Sequence, residues 1–236
     1  MRISAVSYTN TKPFVYGLTH SALANNIELS LDIPSDCADK LLNNQVDIGL
    51  IPVATLLSLP NYHILSDYCI GATGAVHSVY IFSTKPISDV RSIRADPQSR
   101  TSNLLAKVLC KYLWNIDPEW VQTGDADAFV LIGDRTFGIA DQHAFAYDLS
   151  AAWYEMTNLS FVFAAWVSNQ PIAEEFISEF NKALKSGLEQ RPNIIKELNQ
   201  YLNFDMAKYL YEYIDYDLNQ SKREALAHFL DLAKNV

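Results

Sequence analysis

The chain has 236 residues, with 18 basic and 27 acidic side chains and therefore a formal net charge of −9. At about 150 residues per domain, this length fits one large α/β unit or two small lobes. A chain of this size buries a core without the help of disulfides or structural metals. The acidic balance argues against nucleic-acid binding, which normally uses a basic patch, and against attachment to anionic lipid.

The N-terminus and the cysteines indicate a cytoplasmic protein. Residues 1–8 are typical of a β-strand and lack the long apolar stretch of a secretion signal. The longest apolar runs, such as residues 161–167, are far too short to span a membrane. Cys37, Cys69 and Cys110 are odd in number and widely spaced, which is typical of reduced thiols in a reducing compartment.

The first part of the chain alternates between predicted strands and helices. Residues 3–6 predict a short buried strand, and Pro13 stands where the first turn of a helix accepts proline. The Ser-Asp pair at residues 35–36 can cap a second helix. Apolar runs at residues 46–51 and 76–83 predict further strands. This βαβαβ order favours a largely parallel sheet.

The second part of the chain predicts another α/β unit followed by helices. Apolar positions at helical spacing predict a helix over residues 104–113. Residues 128–132 and 161–167 predict buried strands. Beyond Pro171 only helices are predicted, the last of them starting at a capping box formed by Ser221 and Glu224.

These elements predict two α/β lobes with a ligand cleft between them. Pro86 lies in a polar cluster at which the chain can cross from one lobe to the other. We expect a larger, discontinuous lobe formed by residues 1–85 and 166–236. Residues 86–165 then form a smaller lobe inserted into it.

No sequence motif points to a cofactor or a metal ion. The chain has no G-x-G-x-x-G fingerprint, no phosphate-binding P-loop, no H-E-x-x-H and no C-x-x-C. Its five histidines are scattered without the spacing of metal ligands, and a G-x-S-x-G nucleophile elbow is absent. We therefore expect neither a cofactor nor a bound metal.

Four polar turns lie at the ends of predicted strands, the edge at which α/β sheets bind ligands. In residues 7–13, backbone amides at a helix N-terminus and an asparagine side chain suit a carboxylate or a phosphate. Residues 99–102 offer three hydroxyls and one guanidinium ahead of another helix. The other two turns are residues 74–78 and 133–135. Serine and threonine are also common helix caps and turn residues, so the residues alone leave a purely structural interpretation open.

Six short segments, taken in order along residues 3–167, together resemble one enzyme family. Each segment is a weak signal by itself, but six in register make a specific pattern. The segments are residues 5–13, 47–54, 78–83, 99–102, 131–135 and 161–167. They look like the chorismate dehydratases of the futalosine pathway of menaquinone biosynthesis.

The resemblance implies a fold, a reaction and a substrate. The fold is α/β, a two-lobed arrangement similar to type II periplasmic binding proteins, with the ligand in the cleft between the lobes. The reaction is that of a hydro-lyase, which removes water from chorismate to give 3-[(1-carboxyvinyl)oxy]benzoate without a cofactor. In this family the base is thought to be the enolpyruvyl carboxylate of the substrate itself.

The resemblance also implies roles for seven residues. Asn10 would lie beside the reacting ring, and Ser78 would act with it as a catalytic or orienting group. The residues that would bind the substrate are Thr11, Ser99, Arg100, Thr101 and Ser102. The chain has Thr9 where the family more often has leucine, a change that leaves the Asn10 amide in place.

Two other functions compete with this interpretation. One is an enzyme similar to 1,4-dihydroxy-6-naphthoate synthase, whose first turn has a Ser-Pro-Cys-Pro-Asn-Asp pattern that this chain lacks. The other is a non-catalytic protein that binds small carboxylates, since a fold does not determine a function. In each case the partner is a small molecule, and the sequence leaves the oligomeric state open.

Overall fold

The computed structural model describes all 236 residues and contains eleven strands in two sheets. The strands are β1 (Arg2–Val6), β2 (Glu28–Asp32), β3 (Ile48–Pro52), β4 (His63–Ala72), β5 (Val79–Ser83), β6 (Ser92–Arg94), β7 (Glu119–Val121), β8 (Ala128–Ile132), β9 (Phe145–Asp148), β10 (Phe161–Ser168) and β11 (Asp215–Asp217). The helices are α1 (Lys12–Thr19), α2 (Pro34–Leu42), α3 (Arg100–Tyr112), α4 (Leu149–Thr157), α5 (Glu174–Glu189), α6 (Arg191–Glu197), α7 (Met206–Lys208) and α8 (Gln220–Ala233). No helix is both long enough and apolar enough to cross a membrane.

The first sheet has six strands in the order β11-β4-β10-β3-β1-β2. Strand β1 pairs in parallel with β2 and β3, as the βαβ order predicts. Strand β10 runs antiparallel between β3 and β4, and β11 is antiparallel to β4. Four of the six strands, β1 to β4, therefore run in the same direction, but parallel pairing is limited to β1, β2 and β3 because β10 inserts antiparallel between β3 and β4.

The second sheet has five strands in the order β7-β6-β8-β5-β9, all of them within residues 79–148. Sheet membership differs from the predicted division at residues 85/86 and 165/166. Strand β5 already pairs with β8 and β9, and the whole of β10 belongs to the first sheet. The chain changes sheets in the turn after Ala72, whereas Pro86 only follows β5. We therefore propose residues 79–148 as the strand-bearing part of the smaller lobe.

Strand β10 is the centre of the core. All eight of its residues are buried, which confirms the prediction that both faces are covered. Trp166 of β10 is fully buried and packs edge-on against Phe180 of α5. The core therefore joins the sheet to the helices that follow it.

Helices α1 and α5 cross at two glycines. A Cβ atom added to Gly17 would lie 1.9 Å from the carbonyl oxygen of Ala183, and one added to Gly187 would lie 1.9 Å from that of Pro13. The two backbones are thus in direct contact. This contact holds α1, and with it the turn that precedes α1, against the body of the larger sheet.

Several predicted helix starts are confirmed and two are wrong. Ser99 caps α3, the capping role that the sequence left open for residues 99–102, and Asp148 caps α4. Helix α2 begins at Pro34 with no side-chain cap, because the residue at the cap position is Ile33, whose side chain has no hydrogen-bond acceptor. Helix α8 is capped by Asn219, two residues before the expected Ser221. The prediction of helices only beyond Pro171 is also wrong, since β11 extends the first sheet.

Candidate active site

A cavity lies between the two sheets, lined at the carboxyl ends of β1, β3 and β8 and at the amino end of β5. The space between its walls is about 540 Å³ when the open solvent at its mouth is counted, and nine of its 17 lining residues are hydrophobic. The lining residues are Val6, Tyr8, Asn10, Pro34, Pro52, Ile70, Val76, Ser78, Val79, Ser99, Thr101, Ser102, Ile132, Gly133, Phe163, Ala164 and Ile214. An apolar wall with a few polar groups is typical of a site for a small organic molecule.

Several helix starts contribute to the wall of this cavity. Asn10 stands in the 3₁₀ turn that leads into α1, and Ser99 caps α3 on the opposite lobe. Pro34 is the first residue of α2, and Pro52 precedes another 3₁₀ turn. Backbone N–H groups at helix starts carry partial positive charge and favour anions. The cavity therefore suits a ligand with carboxylates, although the chain as a whole is acidic.

The structure brings five of the seven predicted site residues into this cavity and leaves two outside it. The five are Asn10, Ser78, Ser99, Thr101 and Ser102. Thr11 is fully buried behind the wall, where its hydroxyl donates to the side-chain oxygen of Asn10 at 3.1 Å. Arg100 donates to the carboxylate of Asp39 at 2.6 Å on the protein surface. Its side chain points to α2, so this arrangement does not support Arg100 as a substrate ligand.

Asn10 and Ser78 are joined by a buried tyrosine. The Asn10 amide nitrogen donates to the hydroxyl of Tyr209 at 3.3 Å, and that hydroxyl donates to the Ser78 hydroxyl oxygen at 3.1 Å. Tyr216 donates to the backbone carbonyl of Asn10 at 2.8 Å. Burial raises the pKa of both tyrosines above its usual value.

The sequence does not predict this connection, because the tyrosines of residues 209–216 are typical of packing groups in an amphipathic helix. Tyr209 instead begins a π-helical turn, and Tyr216 lies in β11. The one sequence signal for such a connection is chemical: a tyrosine that is buried normally needs a hydrogen-bond partner for its hydroxyl. Nothing local in the sequence identifies that partner.

Three hydroxyl residues form the part of the site that comes from the start of α3. The Ser99 hydroxyl oxygen accepts from the backbone N–H of Ser102 at 3.1 Å. The Thr101 hydroxyl oxygen accepts from the backbone N–H of Ala54 at 3.2 Å, which ties α3 to the turn after β3. All three hydroxyl residues are buried. The capping function considered for Ser99 is therefore real, and it also places the start of α3 at the cavity.

The turn that carries Ser78 is held by Asp148. One carboxylate oxygen of Asp148 accepts from the backbone N–H groups of Val76 and His77, at 3.0 and 2.7 Å. The other oxygen caps α4 through two more N–H groups, both at 3.0 Å. His77 adopts a left-handed conformation with φ 57°, a strained conformation for a residue with a side chain. Asp148 thus stabilises the strained turn immediately before Ser78.

Replacing Asp148 by alanine is expected to lower the free energy of unfolding by about 2 kcal/mol, because four N–H groups lose their acceptor. Urea denaturation measures this change. Asp205→Ala is the matched control, since exposed Asp205 accepts from one backbone N–H only. An equal loss in both variants would contradict a special role of Asp148.

Tyr8 forms one side of the cavity by packing on Gly133. A Cβ atom at Gly133 would lie 2.6 Å from the ring of Tyr8, and the φ of Gly133 is +67°. Both facts require glycine at this position. The Tyr8 hydroxyl donates to the side-chain oxygen of Gln98 and accepts from Arg135 at 3.4 Å. Burial raises the pKa of Tyr8, and Arg135 opposes that shift.

Further hydrogen bonds connect the two lobes next to the cavity. The backbone N–H and the hydroxyl of Thr9 donate to the carboxylate of Asp134, at 3.0 and 2.8 Å. Arg135 donates across the lobes to the Tyr8 hydroxyl at 3.4 Å, and the buried carboxylate of Asp96 in its own lobe accepts from it at 2.6 Å. Asp134 and Arg135 therefore do not pair with each other. They hold the first polar turn against the second lobe.

Comparison with known proteins identifies one relative that matches over its full length and a second that matches over about three quarters of it. A family model for menaquinone biosynthesis matches residues 1–235. A chorismate dehydratase of Campylobacter jejuni subsp. jejuni is 27% identical over 249 aligned positions, which cover 99% of this chain and 98% of that protein. A chorismate dehydratase of Thermus thermophilus is 24% identical, and the match covers 77% of this chain and 75% of that protein.

A solved structure supports the predicted fold. A Candida albicans protein described as having the generic periplasmic binding protein fold superposes with a TM-score of 0.68 at 12% identity, covering 100% of this chain and 90% of that one. The predicted α/β fold similar to periplasmic binding proteins is thereby confirmed. Because the family model spans all but the last residue, this chain belongs to the menaquinone biosynthesis family.

Proposed function

We propose that this protein is a chorismate dehydratase, which removes water from chorismate to give 3-[(1-carboxyvinyl)oxy]benzoate. The observation that carries this proposal is the match over nearly the whole length of both chains to the chorismate dehydratase of Campylobacter jejuni. The cavity supports it independently, because it combines an apolar wall with hydroxyls and helix starts. Chorismate is a dicarboxylate with an apolar ring and needs both kinds of surface.

The reaction suits a site without a strong acid or base. Loss of the 4-hydroxyl and of the proton on ring carbon C3 makes the ring aromatic, which supplies the driving force. The hydroxyl and the proton together form the water that leaves. The C3 position is vinylogous to the ring carboxylate, so negative charge that develops there spreads onto that carboxylate. Hydrogen-bond donors around it stabilise this charge in the transition state.

Each part of the cavity has a role in this proposal. The Asn10 amide and the Ser78 hydroxyl face the reacting carbons, and Ser99 and Ser102 bind a carboxylate from the second lobe. Apolar residues such as Phe163 hold the ring and exclude water. The lining residues include no histidine, aspartate or glutamate, which supports the enolpyruvyl carboxylate of the substrate as the base.

The cellular location and the partners of the enzyme are part of the same proposal. We expect it to act in the cytoplasm on a small-molecule substrate, without a nucleic-acid or membrane partner. The location is a prediction from the N-terminus and the cysteines, and the lack of nucleic-acid and membrane partners is a prediction from the acidic composition.

The direct test mixes purified protein with chorismate. We expect the absorbance of the ring diene to fall as chromatography detects an equal amount of the benzoate product. Folded protein that produces none above the spontaneous background would contradict the proposal. Tight binding of chorismate without turnover would instead support a non-catalytic carboxylate-binding protein.

A further inference from the structure

We infer that Tyr209 is a positioning residue for the dehydration, one that holds the Asn10 amide and directs the hydroxyl hydrogen of Ser78 into the cavity. The inference rests on the proposed function, because it assigns a role within that reaction. It adds a residue that lies behind the cavity wall, far along the chain from both groups that it contacts.

The geometry places Tyr209 between the two polar groups. Its side chain is fully buried and its ring packs against Phe137 and Phe204. Its hydroxyl is 3.3 Å from the Asn10 amide nitrogen and 3.1 Å from the Ser78 hydroxyl oxygen. Packing fixes the ring, so the hydroxyl is a rigid point to which both side chains are attached.

The hydrogen bonds run in one direction through this point. The side-chain oxygen of Asn10 accepts from Thr11, so the amide nitrogen is the end that faces Tyr209 and donates to it. Since the phenol oxygen accepts this bond, its own hydrogen goes to Ser78. The Ser78 oxygen has then received a hydrogen on its buried side. Its own hydrogen is left for the cavity that Ser78 lines.

This direction persists because the phenol keeps its hydrogen. Burial raises the pKa of Tyr209 far above neutral pH, and no acceptor other than Ser78 is bonded to its hydroxyl. Thr11, Asn10, Tyr209 and Ser78 therefore form one chain of donors that ends at the cavity. Such chains polarise their members and strengthen the final donor.

A donor at Ser78 suits the departure of the 4-hydroxyl group. As the bond from C4 to oxygen breaks, that oxygen gains negative charge, and a hydrogen bond from Ser78 becomes stronger than it was in the bound substrate. Interactions that strengthen in the transition state raise kcat and leave substrate binding little changed. Without the Tyr209 hydroxyl, Ser78 is free to turn its hydrogen away and the Asn10 amide is free to rotate.

The test is Tyr209→Phe, which keeps the packed ring and removes one oxygen. We expect kcat for chorismate to fall on the order of 10-fold, the worth of one directed hydrogen bond, with KM changed by less than about 2-fold. Tyr147→Phe is the matched control, because the Tyr147 hydroxyl accepts only from the backbone N–H of Ile87 and does not line the cavity. We expect that control to keep the wild-type kcat.

A double variant separates positioning from a general effect on structure. If Tyr209 acts through Ser78, then adding Tyr209→Phe to Ser78→Ala lowers kcat by about 3-fold or less, since the shared interaction is already lost. Losses that multiply in full would show an independent structural effect and would overturn the inference. So would a Tyr209→Phe variant with the wild-type kcat.

The controls also distinguish this inference from the proposed function. A wild-type protein that does not turn over chorismate would overturn both. An active wild type together with an unaffected Tyr209→Phe variant would overturn only the role of Tyr209.

Discussion

Replacing Ser78 or Asn10 by alanine is expected to lower kcat for chorismate dehydration on the order of 100-fold, the usual effect of removing a preorganised donor from an active site. The free energy of unfolding should fall by only about 1 kcal/mol, because each change removes one or two neutral hydrogen bonds. Ser78 is 2% exposed, so its loss is felt mainly at the cavity and at Tyr209. Steady-state kinetics and urea denaturation measure the two effects on the same samples.

Ser83→Ala is the matched control for Ser78→Ala. Ser83 is 4% exposed and is the last residue of β5, the strand that Ser78 immediately precedes. Its hydroxyl donates to the backbone carbonyls of Lys85 and Asp127, and Ser83 does not line the cavity. We expect this variant to lose stability without losing kcat. If Ser78→Ala and Asn10→Ala behave like Ser83→Ala, both residues return to the capping and turn roles that sequence alone left open.

Replacing Gly17 by alanine is expected to lower the free energy of unfolding by about 3 kcal/mol, the upper part of the usual cost of overpacking. The new Cβ atom would lie 1.9 Å from the carbonyl oxygen of Ala183, and this neighbour is backbone that cannot rotate away. Helices α1 and α5 must therefore separate. Since α1 follows the turn of Asn10 directly, we expect a lower kcat as well.

Gly124→Ala distinguishes this clash from the general cost of replacing a glycine. Gly124 has a φ of +87°, but nothing lies within 4 Å of a Cβ atom added there. Its replacement should cost about 1 kcal/mol for the left-handed conformation alone. Urea denaturation compares the two variants. A Gly17→Ala protein as stable as Gly124→Ala would show that the helix crossing is not as close as the structure has it.

The predicted strands and helix caps that the structure confirms depend on residues that are close together in the sequence. An unbroken apolar run predicts β10, and such a run requires burial on both faces wherever the strand lies. The caps of α3 and α4 are also local, since the Ser99 and Asp148 side chains reach N–H groups only two or three residues ahead. The predicted cap of α8 failed by a small shift because Asn219 and Ser221 are both good caps.

The position of the cavity also follows from local sequence patterns. Polar turns beside strand ends meet at one edge of an α/β sheet, so Asn10, Ser78, Ser99, Thr101 and Ser102 line one cavity. The direction in which a long side chain of such a turn points is not predicted by these local patterns. Arg100 points to α2 because the exposed carboxylate of Asp39 lies within hydrogen-bond distance. Asp39 is 61 residues away in the chain, so no local sequence pattern predicts this contact.

The sequence by itself determined strands β1, β3, β5, β8 and β10, the caps of α3 and α4, the polar turns and the family resemblance, because each depends on residues close together in the chain. Only the tertiary structure decided which sheet β5 and β10 join and which partner the buried hydroxyls meet. Tyr209 lies 199 residues from Asn10 and 131 from Ser78. Hydrogen bonds and packing act over a few ångströms in space, so contacts between such distant residues exist only once the two lobes have come together.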